Sequence, residues 1–146
     1  MDKPVAYVSY FLKKNRVEYY DRMSEVRRSG NYEQRVKFFL EAVNEAADDA
    51  VSSIESLRRL HCKNESLLPR TNRSKDTLRM VFDYAEKRPI LSIANASTSL
   101  GLSYNTVSKQ VNALVDFGIL EKTSDASRNR VYSYRDYIEI LKRGME

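Results

Sequence analysis

Few residues in this 146-residue chain could do covalent chemistry, and their spacing does not suit it. His61 is the only imidazole and Cys62 the only thiol. One His and one Cys offer no metal-ligand spacing, and a single Cys cannot form an internal disulfide. No Ser or Cys stands in a nucleophile-elbow context for His61 to activate, so a hydrolytic triad lacks its base. Gly30, Gly101, Gly118 and Gly144 are too scattered to build a loop that cradles phosphates. The sequence therefore argues against an enzyme, a metal site and a cofactor.

The chemistry its residues do suit is recognition. Between Ser103 and Phe117, Val107, Val111 and Leu114 recur at helical spacing. Tyr104, Asn105, Ser108, Lys109 and Asn112 then fall on the opposite side, where a helix entering the major groove would present them. Asn105 and Asn112 are candidates to read base edges. Lys109, Arg128 and Arg130 are candidates to neutralise phosphates, the last two from a hairpin following the backbone or entering the minor groove.

The elements that position these residues can be read from punctuation. Ser74 is a candidate N-cap for a helix carrying Leu78, Val81, Phe82 and Ala85 and ending before Pro89. Ile90 and Leu91 form a short extended link. Ser92 starts a compact helix to Leu100, Gly101 turns the chain, Leu102 plugs the corner and Ser103 caps the next helix. Gly118 supplies a left-handed stop. Ile119–Thr123 and Arg130–Tyr134 read as two strands of a wing around the polar turn 124–129, and a last helix runs from about Arg135 to Lys142. The run Gly101 to Leu120 closely resembles the core of winged helix-turn-helix proteins. Ser97 departs from that pattern, which usually has Ala there, but it is small enough to fit.

The first half reads as helices. A first helix is expected from Pro4 to about Arg28, broken by Ser29, Gly30 and Asn31. Its Tyr7, Tyr10, Phe11, Tyr19 and Tyr20 alternate with Lys13, Lys14 and Arg16, as a surface for stacking bases would. Helical spacing accounts for more of them, because Val8, Phe11 or Leu12, Tyr19, Met23 and Val26 can share one core-facing side. Further on, Val36, Leu40, Val43, Ala47, Ala50, Ile54, Leu57 and His61 alternate spacings of four and three over about thirty residues. That stripe suits either a self-associating coiled coil or the buried face of a bundle helix. The broad apolar flank of Phe39, Val51 and Leu60 favours the bundle. His61 on the stripe is expected to be a satisfied structural residue near a helix end.

The fold class expected is thus mainly α: a helical segment over residues 1–69, then a winged helix-turn-helix domain over 70–146 with a small β-hairpin wing. The net charge of +5 is concentrated in the second half, where 13 Lys plus Arg face 9 Asp plus Glu; residues 1–69 hold 12 against 11. Double-stranded DNA is the expected partner, with a protein-contact role for the winged helix as the alternative. No apolar run approaches the roughly 20 residues of a membrane helix. The polar start and the lone Cys fit a cytoplasmic protein.

Taken together, Pro4-Val-Ala-Tyr-Val-Ser-Tyr-Phe, Glu18-Tyr-Tyr, Lys37-Phe-Phe-Leu-Glu-Ala-Val and Asn129-Arg-Val-Tyr-Ser-Tyr resemble the C-terminal half of Fic-family proteins. The resemblance implies that residues 1–69 are the C-terminal helices of a Fic fold and that the winged helix is the appendage many bacterial members carry. Full members transfer AMP or a related nucleotide moiety onto a target hydroxyl. They do so with a His-x-Phe-x-Asp/Glu-Gly-Asn-Gly-Arg loop that would lie just before the segment corresponding to Pro4. His61 is followed instead by Cys-Lys-Asn-Glu, so no catalytic residue carries over. The chain is expected to be a non-catalytic portion or a shortened relative of such a protein. Its partners would be the remainder of a Fic domain, or a second copy in a homodimer formed through the N-terminal helices, whose apolar groups lack some neighbours.

Overall fold

The computed structural model describes residues 7–69, 75–123 and 130–143. The chain divides into two compact units inside its longest helix, one ending at Ser56 and the other spanning Leu57–Arg143. The change in composition lies further on, after Pro69.

In the first unit, the single helix expected before residue 29 is two: α1, Val8–Lys14, and α2, Arg16–Ser29. Asn15 stands between them: its backbone N–H keeps the helical bond to the Phe11 carbonyl at 3.0 Å, while its side-chain amide donates to the same carbonyl at 3.2 Å. Such local bonding by Asn competes with helix continuation. Gly30, at φ 72°, closes α2 with an N–H to the Val26 carbonyl. Only a residue without a Cβ adopts that left-handed geometry freely. Asn31 Oδ1 then accepts the Glu33 N–H at 3.1 Å as the chain enters α3, Glu33–Leu67.

The buried face of α3 is not the expected one. Phe38, Ala42 and Ala46 are buried, whereas Val36 and Leu40 are 53% and 59% exposed and Val43 and Ile54 are exposed too. Two stripes of helical periodicity coexist on α3, and the one that carries Phe38, Ala42 and Ala46 is covered. No side chain of α1 or α2 is fully buried; Val8, Phe11, Tyr19, Met23 and Val26 are half-buried.

The second unit begins with the last turns of α3 and continues through α4, Lys75–Lys87; β1, Ile90–Ser92; α5, Ile93–Leu100; α6, Tyr104–Asp116; β2, Glu121–Lys122; β3, Val131–Ser133; and α7, Arg135–Arg143. This is a winged helix fold. Its strands are shorter than expected, and the link at Ile90 proves to be a third strand. β1 pairs antiparallel with β3 (Ile90 opposite Ser133, Ser92 opposite Val131), and β3 pairs with β2, giving the order β1-β3-β2. Ile119 and Leu120 do not extend β2. They bend into the core, because both donate backbone N–H groups to the Leu114 carbonyl.

One core holds these elements together. Val81, Phe82, Ala85, Ala96, Val107, Val111, Leu114 and Tyr134 have no side-chain exposure to speak of, and Leu60 of α3 joins the same cluster. Burying one such aliphatic or aromatic side chain contributes about 1.5–3 kcal/mol. The end of α3 is also tied by polar contacts. Asn64 donates to the Tyr134 hydroxyl at 2.6 Å in a buried bond, and Arg79 pairs with Glu65. His61 is satisfied as expected: Nδ1 donates to Glu86 at 2.8 Å, Nε2 lies 3.5 Å from Glu65, and the ring stacks on Phe82. Burial pushes the Tyr134 hydroxyl up to about 12, so it remains a neutral partner for Asn64.

Candidate nucleic-acid interface

The helix-turn-helix is built by local chemistry at its corners. Ser92 Oγ accepts the Asn95 N–H at 3.3 Å and starts α5. Gly101, at φ 65°, ends that helix in the left-handed region. Ser97 does more than fit: its hydroxyl donates to the Leu102 carbonyl at 2.6 Å, while its own carbonyl accepts the Leu102 N–H at 3.2 Å. The turn between the two helices is thereby fastened from inside α5. Ser103 Oγ accepts the Thr106 N–H at 3.2 Å and meets the Thr106 hydroxyl at 2.8 Å, which satisfies a donor left open at the N-terminus of α6.

Past Phe117, Gly118 stands at φ 71°; its N–H reaches the Val115 carbonyl at 2.8 Å and that of Ile119 reaches Leu114 at 2.9 Å. This pair of bonds is the Schellman arrangement, completed by the apolar contact expected between residues in the places of Leu114 and Ile119. The helix is therefore capped at both ends by short-range bonds, and its orientation is set by the buried side: Val107, Gln110, Val111 and Leu114.

The candidate residues distribute around that axis. Asn105, Lys109 and Asn112 are exposed on the side away from the core, Tyr104 is 54% exposed at the first turn and Ser108 is half-buried between the two faces. Arg130 is exposed just before β3, and Arg128 lies outside the described residues. Among the described residues, neither Lys109 nor Arg130 has a carboxylate partner. Arg135, by contrast, is occupied by Glu139 at 2.8 Å and Glu121 at 3.6 Å. The exposed face of α6 ends in Asp116, so its cationic and amide groups lie toward the N-terminus, the end that carries the positive pole of the helix dipole.

Tyr104 and Arg130, distant in sequence, line one cleft of about 470 Å³ together with Ser92, Ile93 and Asn95. Ser92, expected only as a helix start, and Asn95 are not among the DNA-contact candidates that the sequence offers. The signal for them is positional: both stand at the start of α5, the helix of this motif that crosses the phosphate backbone. The cleft joins a hydroxyl, an amide and a guanidinium, groups that donate to phosphate oxygens. Among the described residues no cluster could hold a metal ion, and no helix is long and apolar enough to cross a membrane.

Neither a protein-family model nor a curated protein sequence matches the chain. Among solved structures, the chain is similar to the multiple antibiotic-resistance repressor (MarR) from Listeria monocytogenes 4b F2365, at 17% identity. The similarity covers 70% of this chain and 72% of that one, with a TM-score of 0.38.

Proposed function

We propose that this protein binds double-stranded DNA through α6 and the wing, as a bacterial transcription-regulator-like module without catalytic activity of its own. The observation that carries the proposal is the two-sidedness of α6. Val107, Val111 and Leu114 are fully buried, while Asn105, Lys109 and Asn112 face outward beyond an N-terminus capped by Ser103. In this reading Asn105 and Asn112 contact base edges, Tyr104, Ser108 and Lys109 position the helix, and Arg128 and Arg130 hold phosphates along the wing. The chain acts as a homodimer joined through its N-terminal helices. The resemblance of those helices to Fic proteins supports descent from a Fic-family parent, in which the winged helix is the regulatory portion.

One observation favours a protein-contact role for the same face. Lys109 is the only basic residue on α6, and Asp116 shares its exposed side. Fluorescence anisotropy on labelled random-sequence duplex and on an equally charged heparin competitor separates the two. DNA binding predicts saturable duplex binding that Asn105→Ala redirects to different sequences in a selection from a randomised pool. An absence of duplex binding at low salt would leave the protein-contact role in its place.

A further inference from the structure

Helix α3 has two apolar faces, and only one is covered within its own unit. Beside the buried Phe38, Ala42 and Ala46 stand Val36, Phe39, Leu40, Val43, Val51 and Ile54, all between 37% and 59% exposed. At 3.6 residues per turn, the six exposed side chains lie within an arc of about 120°. Along the middle of that arc run Val36, Leu40, Val43, Ala47, Ala50 and Ile54, separated by alternating steps of four and three. Steps of that kind average 3.5 residues, the repeat that keeps one face of a helix against a second helix along its length. A helix merely crossed by short neighbours needs no such regularity.

We infer that this stripe is the seam of a homodimer, covered by the same stripe of a second copy. The inference rests on the homodimer in the function proposed above and is independent of DNA binding. Area, edge charge and composition select this occupant. The exposed apolar side chains offer on the order of 600 Å² per chain, so a symmetric pair covers about 1,200 Å², where stable interfaces begin. One edge of the stripe, with Phe39 and Ser53, is uncharged, and on the other Lys37 stands beside Glu41, so two copies do not confront a single sign of charge. A lipid surface would call for Lys and Arg beside the apolar face. Here Lys37 is outnumbered on that flank by Glu41 and Asp48. The two Ala residues at the middle of the stripe let backbones approach, with Leu40, Val43 and Ile54 packing to either side.

Sedimentation equilibrium of the whole chain tests the seam. The wild-type chain is expected to be dimeric at roughly 100 µM, and Leu40→Glu with Val43→Glu to raise the dissociation constant at least ~100-fold, since carboxylates would be buried without partners. Both positions are exposed, so the circular-dichroism helix signal should persist at low concentration. The milder Leu40→Ala with Val43→Ala, which keeps helix propensity, is expected to weaken the dimer about tenfold. Lys87→Glu, exposed at the end of α4 in the other unit, should leave it unchanged. A wild-type monomer at that concentration would overturn the homodimer itself. A dimer that withstands both double variants would overturn the seam while leaving the homodimer in place.

Discussion

The two compact units bury their apolar residues very unequally. Among the described residues of Leu57–Arg143, sixteen form one buried cluster drawn from α3, α4, α5, α6, the sheet and the residues flanking it. Before Ser56, the buried apolar residues among those described are Phe38, Ala42 and Ala46, and larger side chains such as Val17, Tyr20, Leu40 and Val51 remain exposed. Composition does not explain this, since both stretches carry helices with apolar residues at regular spacing. The difference lies in the connections. The second unit reverses direction every eight to thirteen residues, at corners fastened by Gly101, Ser103 and Gly118, so each short helix finds several neighbours. A helix of 35 residues offers more length than the 7 and 14 residues of α1 and α2 can cover. In the function proposed above, the unit with the self-sufficient core binds DNA and the open helix face meets a second copy of the chain.

Substitutions of matched kind should expose that inequality. Phe82→Ala, at a position with no exposure, is expected to cost about 3–5 kcal/mol in chemical denaturation. Val17→Ala in the first unit, at 71% exposure, should stay within about 0.5 kcal/mol. Equal losses at the two sites would erase the distinction.

A second test concerns the polar tie between the end of α3 and the core. Tyr134→Phe leaves the buried Asn64 amide without its acceptor, at an expected cost of about 1–3 kcal/mol. It also carries a pH signature. Burial raises the folded-state value of Tyr134 to about 12 from an ordinary 10, so the neutral hydroxyl is favoured in the folded protein. The stability this contributes is fully present below about pH 10 and is lost as pH rises toward 12. Denaturation measured across that window should fall less steeply for Tyr134→Phe than for the wild type.

Smaller effects are expected at the corners. Gly118→Ala meets no neighbour within 4 Å, so its cost is that of a left-handed Ala, about 1–2 kcal/mol. Ser103→Ala removes the cap of α6 and should cost about 1 kcal/mol. Both losses should appear in thermal unfolding of the full chain.

The corners were legible in the sequence because their chemistry is local. Ser92, Gly101, Ser103 and Gly118 act on backbone groups a few residues away, and each lies where its residue type requires. The outward face of α6 was legible for the same reason: once Val107, Val111 and Leu114 define the inside, Asn105, Lys109 and Asn112 have one direction left. What depends on distant pairing was not. β1 exists because Ile90–Ser92 meets Val131–Ser133, and nothing within Ile-Leu-Ser announces that partner. The Asn64–Tyr134 bond spans seventy residues. Nor does periodicity say which of two stripes on α3 is covered, since Phe38-Ala42-Ala46 and Val36-Leu40-Val43 both keep helical spacing. The cleft joining Tyr104 and Arg130 to Asn95 required the sheet that brings the wing beside α5.

The central claim, that α6 and the wing bind duplex DNA, is tested most directly by the salt dependence of binding. Log Kd is to be measured against log salt for the wild type and for a Lys109→Ala, Arg128→Ala, Arg130→Ala variant. If these three residues contact phosphates, the variant binds more weakly and its slope is shallower by up to about 2.7, corresponding to three fewer released counterions at roughly 0.9 each. An affinity and slope indistinguishable from those of the wild type would contradict the placement of DNA on this face.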